Sequence, residues 1–255
     1  LPPMGATVIT AIPEKSAEGT MVESARFEND FYRARLCADG TLQVEEMCSG
    51  RAFSGLGYFE DQADSGDEYN FSYLPQDQPN TTLGVPARCR TIERGPLRTV
   101  FEVERIWKLP AALCEKRTAR LEKTLPVPIV TRITMEADSP VIRFETLVRN
   151  VCRDHRLRVV FPTDLDTEWS YAHTQFDLTE HPVRTEAFNN DDLPEVVRRI
   201  VIGARESKPT AQYPQCEYVA LGDGDIGVAV LNRGLPEYEV LADRHTIALT
   251  LFRSV

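Results

Sequence analysis

The chain has 255 residues with 42% hydrophobic, 8% aromatic and 27% charged side chains, a formal net charge of −10 and a pI near 5.0. This composition predicts a globular protein that buries a sizeable core as one large or two small domains. The negative charge argues against nucleic acid and anionic membranes as partners, because each of them binds a clustered basic face. No apolar run approaches the roughly 18 residues of a membrane span, so we expect a soluble protein.

Cysteine usage and the N-terminal residues bear on the cellular compartment. The cysteines form no CxxC pair and no dense framework, which favours reduced thiols. The first residues, LPPMGATVITAIPEKS, lack the charged region followed by an apolar region that marks a secretory signal. We therefore expect a cytoplasmic protein. The six cysteines are Cys37, Cys48, Cys89, Cys114, Cys152 and Cys216.

The N-terminal third predicts a linker followed by a hairpin. Residues 1–24 contain early prolines and the polar run EKSAEGT, which indicates a strand and linker ahead of the main body. RARLCADGTLQVEEM (33–47) then places two alternating runs on either side of Asp39 and Gly40. Glycine supplies the positive φ that tight hairpins need, so a β-hairpin is predicted here.

Alternation continues through the rest of the chain. TVFEVERIW (99–107) and SPVIRFETLVRN (139–150) alternate apolar and charged residues over strand lengths. EYVALGDGDIGVAVLN (217–232) repeats the hairpin pattern around its central glycines. Only Ala111–Leu125 offers leucines at roughly helical spacing, but Arg117 falls on the same stripe, so it is predicted as a loop or short helix. The sequence therefore favours an all-β, antiparallel sandwich.

The stretch FEDQADSGDEYNFSY (59–73) is the strongest candidate for a binding loop. Its five acids are interleaved with aromatic residues, a mixture that can stack a sugar ring and bind its hydroxyls. Asp61, Asp64 and Asp67 leave a calcium loop open as an alternative, although the order of ligands in an EF-hand is absent. A solvated turn with its rings tucked into the core is the third possibility.

Other chemistry finds little support in the pattern. His173 and His181 lie on what the sequence predicts as one extended run, whose eight residues span about 26 Å, too far apart for one metal ion. The chain has no G-x-S-x-G elbow and no cysteine in a reactive setting. We therefore expect no metal site and no catalytic residue within these 255 residues.

Six strings in a fixed order connect the chain with a known family. They are ENDFYRARLCADGTLQV, FEDQADSGDEYNF, DHRLRVVFPTDL, FDLTEHPVR, GVAVLNRGLPEYEV and IALTLFRSV. From about Phe27 to Val255 the chain closely resembles the C-terminal region of family-38 glycoside hydrolases, the α-mannosidases. The resemblance implies a large antiparallel β-supersandwich like that of galactose mutarotases over residues 25–255.

The resemblance also implies what belongs to other parts of the polypeptide. In that family a preceding domain carries a zinc ion and the aspartate nucleophile of a retaining mechanism, so the isolated chain is expected to be inactive. Residues 1–24 resemble the tail of a preceding small β-domain, and the apolar strand HTIALTLFRSV is expected to continue into further sheet. The N-terminal catalytic domain of the same polypeptide is the expected partner, within a homo-oligomeric parent enzyme.

Four residues are candidate substrate contacts. Tyr69 and Arg253 resemble residues by which the family's C-terminal region reaches into the mannose site, and Asp67 and Glu68 lie beside Tyr69. A tyrosine can stack on a sugar or donate to a hydroxyl, and an arginine can grip vicinal oxygens. The expected ligand is an α-mannoside or a mannose-containing oligosaccharide.

Three other functions stay open. A stand-alone carbohydrate-binding module would bind mannose without hydrolysing it. An aldose epimerase on the same fold would need a histidine acid, for which His155 or His173 could serve, opposite a carboxylate base. A purely structural role, in fixing the catalytic domain and the oligomer interface, is compatible with the mannosidase interpretation.

Overall fold

A computed structural model of the chain describes residues 25–74, 76–184 and 211–255. The predicted strand and linker of residues 1–24 lie outside the described residues. The described part consists of strands and loops, with one 3-10 turn at Ala242–Arg244. The all-β prediction is therefore confirmed for these ranges.

Eighteen strands are found in the described residues. They are β1 (Ala25–Glu28), β2 (Tyr32–Leu36), β3 (Leu42–Glu46), β4 (Ala52–Leu56), β5 (Tyr58–Ala63), β6 (Asn80–Thr81), β7 (Arg88–Arg94), β8 (Arg98–Pro110), β9 (Thr124–Glu136), β10 (Ile142–Val148), β11 (His155–Pro162), β12 (Trp169–His173), β13 (Leu178–Pro182), β14 (Gln212–Pro214), β15 (Tyr218–Gly222), β16 (Gly227–Leu231), β17 (Glu237–Leu241) and β18 (Thr246–Ser254).

The strands form four sheets in which every strand pairing is antiparallel. Three have four strands, in the orders β1-β2-β3-β4, β10-β9-β8-β7 and β13-β12-β15-β16. The fourth has the order β14-β17-β18-β11-β5-β6. Because β18 and β11 lie inside this six-stranded sheet, the last strand of the chain is paired on both sides. The arrangement of the four sheets as a supersandwich stays a prediction.

Alternation of side chains builds the two main apolar cores. In β9 every second residue from 127 to 135 is buried, while the residues between them are exposed or half-buried. The buried residues are Val127, Ile129, Thr131, Ile133 and Met135. β8 pairs with β9 along its full length, from Arg98 opposite Glu136 to Pro110 opposite Thr124. The end of this ladder that contains Phe101 and Ile133 packs on the β1 to β4 sheet. The end that contains Trp107 and Val127 packs on the six-stranded sheet, so β8 and β9 contribute to both cores.

Both predicted hairpins are present. β2 and β3 are joined by a turn in which Gly40 has φ +76°, and a side chain there would collide with Val103. β15 and β16 meet at Gly222 opposite Gly227, with Gly224 at φ +95°. Positive φ is accessible to glycine at little cost, which is why the sequence signal was specific at both turns.

Of the two alternatives predicted for Ala111–Leu125, the structure shows the loop. Residues 111–123 contain no helix and are closed by a single bridge between Leu113 and Arg120, and β9 starts at Thr124. Another local prediction is wrong. The run from His173 to His181 is not one extended strand but the β12–β13 hairpin, with its turn at residues 174–177. His173 and His181 still cannot share an ion, because they point to opposite faces of that sheet.

Two features bear on the environment of the protein. All six cysteines are free thiols, and Cys152 is the one that is fully buried. Within residues 25–74, 76–184 and 211–255, no helix has the length and apolar character needed to cross a membrane. The cytoplasmic location stays a prediction.

The core assignment predicts a contrast between two isoleucines on neighbouring strands. Ile129 is 1% exposed, and we expect Ile129→Ala to lower the free energy of unfolding by about 2 to 5 kcal/mol, through lost burial and the cavity left behind. Ile106 is 71% exposed, so Ile106→Ala should change it by less than about 0.5 kcal/mol. Urea unfolding of both variants checks this; equal losses would contradict the core assignment.

Candidate functional site

The acidic loop leaves the six-stranded sheet at the end of β5. We call residues 64–73 the lip. Its first residue, Asp64, is fully buried, whereas residues 67–70 are exposed. The lip therefore has a buried base and a solvent-exposed tip, and the contacts at its base decide its shape.

The carboxylate of Asp64 is the centre of that base. One oxygen, Oδ1, accepts hydrogen bonds from the backbone N–H groups of Gly66 (2.9 Å) and Ser72 (3.1 Å). The other, Oδ2, accepts from Nε of Arg253 on β18 at 2.7 Å. A buried carboxylate is tolerated only when it is paired and hydrogen-bonded, and here it joins the two ends of the lip to β18.

Arg253 also holds the tip. Its Nη2 donates to the backbone carbonyls of Asp67 at 2.8 Å and Asn70 at 2.7 Å. The planar guanidinium suits several simultaneous acceptors, so Arg253 spans the lip from base to tip. The structure thus places Arg253 against the loop that carries Asp67 and Tyr69, with two nitrogens of the arginine bonded to that loop. The role of these residues as sugar contacts stays a prediction.

A second turn within the tip presents Tyr69. Asp67 Oδ1 accepts from the backbone N–H groups of Tyr69 (2.9 Å) and Asn70 (2.8 Å). The N–H groups of Asn70 and then Tyr69 lower the pKa of the Asp67 carboxyl. Glu68 is exposed, and the Tyr69 side chain is 87% exposed. The ring of Tyr69 therefore projects into solvent from a turn whose backbone is fixed by hydrogen bonds.

Behind the tip the lip packs on the sheet through Phe71. The guanidinium of Arg156 lies over its ring at 3.7 Å, and that of Arg253 lies at 6.0 Å. Arginine over an aromatic face is attracted by the ring quadrupole. A cavity of about 220 Å³ opens beside this stack, lined by residues of the lip, the sheet and the 3-10 turn, among them Gln62, Phe71, Tyr73, Arg156, Arg158, Gln212, Glu239 and Arg244.

The floor of that cavity is a layer of buried charge. Arg158 is fully buried and pairs with Glu60 on β5 and with Glu239 on β17. Arg156, 1% exposed, donates to Glu237 at 3.0 Å, and burial followed by the charge of Arg158 lowers its pKa to about 10. Charges buried this deeply are stable only as pairs, so the layer forms one connected unit across three strands.

Sequence reasoning missed this layer, although a signal for it exists. Arg156 and Arg158 alternate in β11, Glu60 and Gln62 alternate in β5, and Glu237 and Glu239 alternate in β17. Antiparallel pairing of the neighbouring strands β11 and β5 sets Arg158 directly opposite Glu60. The acids of β17 reach the two arginines across β18, which lies between β17 and β11. The strand order, which no local pattern shows, was needed to see it.

On the opposite face of β5 and β11 lies a separate buried cluster. His155 Nδ1 lies 2.6 Å from Asp61 Oδ1, and its Nε2 lies 3.1 Å from Asn150 Oδ1. Asp61 also pairs with Arg120. Because His155 is 3% exposed and both ring nitrogens are engaged, it is closed to any sugar. The epimerase alternative therefore loses one of its two proposed acids.

The other proposed acid, His173, lies in a different sheet. Its ring is stacked on Tyr218 with a centroid distance of 5.6 Å, and its Nδ1 lies 3.5 Å from Glu217. It belongs to β12, whereas the lip leaves β5. His173 is thus no part of the candidate site.

The three aspartates of the calcium alternative do not converge. Asp61 faces His155 and Arg120, Asp64 holds the base of the lip, and Asp67 caps the tip. Among residues 25–74, 76–184 and 211–255, no group of three or more His, Cys, Asp or Glu side chains could hold a metal ion. The lip is instead a polar loop closed by arginine.

Comparison with known proteins assigns the family. Residues 27–255 match the family described as "Glycosyl hydrolases family 38 C-terminal domain". An α-mannosidase from Enterococcus faecalis V583 superposes with a TM-score of 0.80 at 32% identity, over 94% of this chain and 27% of that structure. A second family-38 structure from Enterococcus faecalis gives a TM-score of 0.78, also at 32% identity, over 94% of this chain and 28% of its own.

A curated relative agrees with these structures. It is named "Putative mannosylglycerate hydrolase", from Halalkalibacterium halodurans, and is 25% identical over 242 residues, which is 89% of this chain. The chain spans about a quarter of the length of that relative. The chain therefore belongs to glycosyl hydrolase family 38 and corresponds to its C-terminal domain, as the resemblance predicted.

The buried carboxylates predict a pH dependence. Burial alone would raise the pKa values of Glu60 and Asp61, but their partners more than offset it. The charge of Arg158 lowers the pKa of Glu60 below its ordinary value of 4.5. The hydrogen bond from His155 and the charge of Arg120 lower the pKa of Asp61 below its ordinary value of 3.8. A carboxyl whose pKa is lower in the folded than in the unfolded chain stabilises the folded state at pH values above its unfolded-state pKa. This stabilisation is lost as the pH falls from the unfolded-state pKa through the folded-state pKa.

We therefore expect the free energy of unfolding to fall steeply below about pH 4.5. Urea unfolding at a series of pH values between 3 and 6 measures this slope. Asp61→Asn should make the slope shallower, because one proton-binding group of the unfolded chain is gone. Glu68→Gln, which changes an exposed acid on the lip, is the matched control. A slope unchanged in Asp61→Asn would contradict the assignment.

Proposed function

We propose that this chain completes the sugar-binding site of an α-mannoside hydrolase, with Tyr69 as the side chain that contacts the sugar. The observation that carries the proposal is the 87% exposure of Tyr69 on a lip whose backbone is fixed by Asp64, Asp67 and Arg253. A ring held on a preformed loop loses little entropy on binding. Family membership supplies the context in which such a ring would face a glycoside.

The chemistry of the tip suits a pyranoside. The phenol of Tyr69 can stack on the apolar face of a sugar or donate to a hydroxyl, and the exposed carboxylate of Glu68 can accept from another. One oxygen of Asp67 is engaged in the turn, which leaves its other oxygen as an acceptor. Arg253, with two nitrogens on the lip, supports the site and is proposed to reach the sugar as well.

The chemical step is proposed to lie in another part of the polypeptide. The described residues do not fit a zinc ion, because no group of potential ligands converges among them. Zinc and the nucleophile of a retaining mechanism are accordingly proposed for the catalytic domain that precedes this region in the family. This chain would hold and orient substrate rather than cleave it.

The relatives support the proposed substrate class. One similar structure is titled an α-mannosidase and the curated relative is named a mannosylglycerate hydrolase, so we propose an α-mannoside of small or oligosaccharide size. We also propose that the four sheets belong to a β-supersandwich like that of galactose mutarotases. The catalytic domain of the same polypeptide, a homo-oligomeric parent and a cytoplasmic location complete the proposal.

Substitution of Tyr69 tests its contact with the sugar. In the full-length enzyme, Tyr69→Ala should lower kcat/KM by the equivalent of about 1 to 3 kcal/mol, with the zinc content intact, because an interaction with bound sugar is lost. Phe176→Ala is the matched control, since Phe176 is a fully exposed aromatic residue on the β12–β13 turn. Wild-type kinetics in Tyr69→Ala would remove Tyr69 from the site.

The division of labour is tested with the chain alone. The purified 255-residue protein should not hydrolyse an aryl α-mannoside, either with added zinc or with excess chelator, because it lacks a converging set of metal ligands in its described residues. Zinc-dependent turnover would mean that the chemistry lies within this chain. Mannose binding without turnover, measured by calorimetry, would favour the carbohydrate-binding module instead.

A further inference from the structure

We infer that Arg117 is a positioning residue for the sugar site, acting through the backbone of the lip. This inference rests on the proposed function of Tyr69. Arg117 lies in the loop of residues 111–123 that joins β8 to β9, far from the lip in sequence. Neither its position nor its type marks it, since the sequence pattern showed it only as a charge on an apolar stripe.

Arg117 binds backbone carbonyls of the lip that Arg253 does not bind. Its Nη2 donates to the backbone carbonyls of Gly66 at 2.9 Å and Asp64 at 3.3 Å. Arg253 takes the carbonyls of Asp67 and Asn70. Four carbonyls of the lip are thus held by two arginines from different elements, so the direction in which the tip points depends on both.

Asp154 anchors Arg117 in turn. Its Oδ1 accepts from Arg117 Nη1 at 2.7 Å, and its Oδ2 accepts from the backbone N–H of Leu113 at 3.1 Å. The backbone carbonyl of Asp154 accepts from the N–H of Asp64 at 2.9 Å. One residue therefore holds both the arginine and the first residue of the lip, which fixes their relative position.

The backbone at these positions indicates that the arrangement is imposed by its contacts. Arg117 has φ +54° and Asp154 has φ +56°, in the left-handed region that non-glycine residues seldom occupy. Such conformations persist where surrounding contacts over-determine them, and they gather at functional sites. At Gly66 a side chain would come within 1.8 Å of the carbonyl oxygen of Asn70, so this close approach of two parts of the lip backbone requires glycine.

A double-mutant cycle in the full-length enzyme tests the inference. We expect Arg117→Ala to lower kcat/KM about tenfold with unchanged zinc content, because a misplaced tip loses its contact with the sugar. In the Tyr69→Ala background the same change should have little further effect, since coupled residues are not additive. Arg98→Ala removes an exposed arginine paired with Glu93 in the β7–β8 hairpin and is the control, with wild-type kcat/KM.

The outcomes separate the inference from the proposal beneath it. Wild-type kinetics in Tyr69→Ala would end the proposed function, whatever Arg117 does. A loss in Tyr69→Ala with no loss in Arg117→Ala, or equal losses of Arg117→Ala in both backgrounds, would overturn the positioning role. A purely structural role of Arg117 would produce equal losses in both backgrounds, because it would weaken every contact with the substrate alike.

Hydrogen exchange on this chain gives a readout that needs no activity. Arg117→Ala should speed exchange of the backbone amides in residues 64–73 by about tenfold, because the opening free energy of the lip falls. Exchange in β8 and β9 should stay at the wild-type rate, which shows that the variant is folded. Unchanged exchange in the lip would overturn the inference.

Discussion

The buried carboxylate of Asp64 is the interaction on which the candidate site depends. It sits where β5 ends and the lip begins, and it is the one acid of the lip with no exposure to solvent. Desolvating a carboxylate costs several kcal/mol unless hydrogen bonds replace the lost water. Two backbone N–H groups and Arg253 provide those bonds, and the geometry that satisfies the carboxylate is also the geometry that shapes the lip.

The sheet beneath the lip provides a rigid base for it. The buried arginines Arg156 and Arg158 on β11 form ion pairs with the neighbouring strand β5 and with β17. Glu60 on β5 is fully buried, and Glu237 and Glu239 on β17 are half-buried. Breaking one such pair leaves an uncompensated charge in the interior, which costs about 3 to 5 kcal/mol, so the strands have little freedom to shift. Binding sites need their contacting residues held within fractions of an ångström. Arg156 carries this rigidity to the lip through its contact with Phe71.

The sequence predicted those parts of the fold whose determining interactions join residues close together in the chain. The strand β10 and the hairpins at Gly40 and Gly224 depend on alternation and on positive φ, both of which are visible in a few consecutive residues. The turn between β12 and β13 was missed because Phe176, with φ +78°, occupies the left-handed position where glycine is expected. Leucine spacing left a short helix open at 111–125 beside a loop, and the loop is found over residues 111–123, because helix propensity is weak against tertiary contacts.

The same distinction between local and long-range interactions applies to the candidate site. Tyr69 and Arg253 were proposed through resemblance, and Asp67 and Glu68 because they lie beside Tyr69. The structure places all four on or against one loop. What they do there could not be predicted, because the decisive contacts join positions far apart in sequence: Arg253 is 189 residues from Asp64. The separation between Arg117 and Gly66 is 51 residues. Polar side chains reach such carbonyls only after the sheets have formed.

The most direct test of the account is a crystal structure of the full-length enzyme with a non-hydrolysable α-mannoside bound. We expect residues 64–73 to keep the backbone described here and the Tyr69 ring to lie within about 4 Å of the sugar, the range of apolar contact. A bound sugar with Tyr69 still facing bulk solvent, or a lip that has left Arg253, would contradict it.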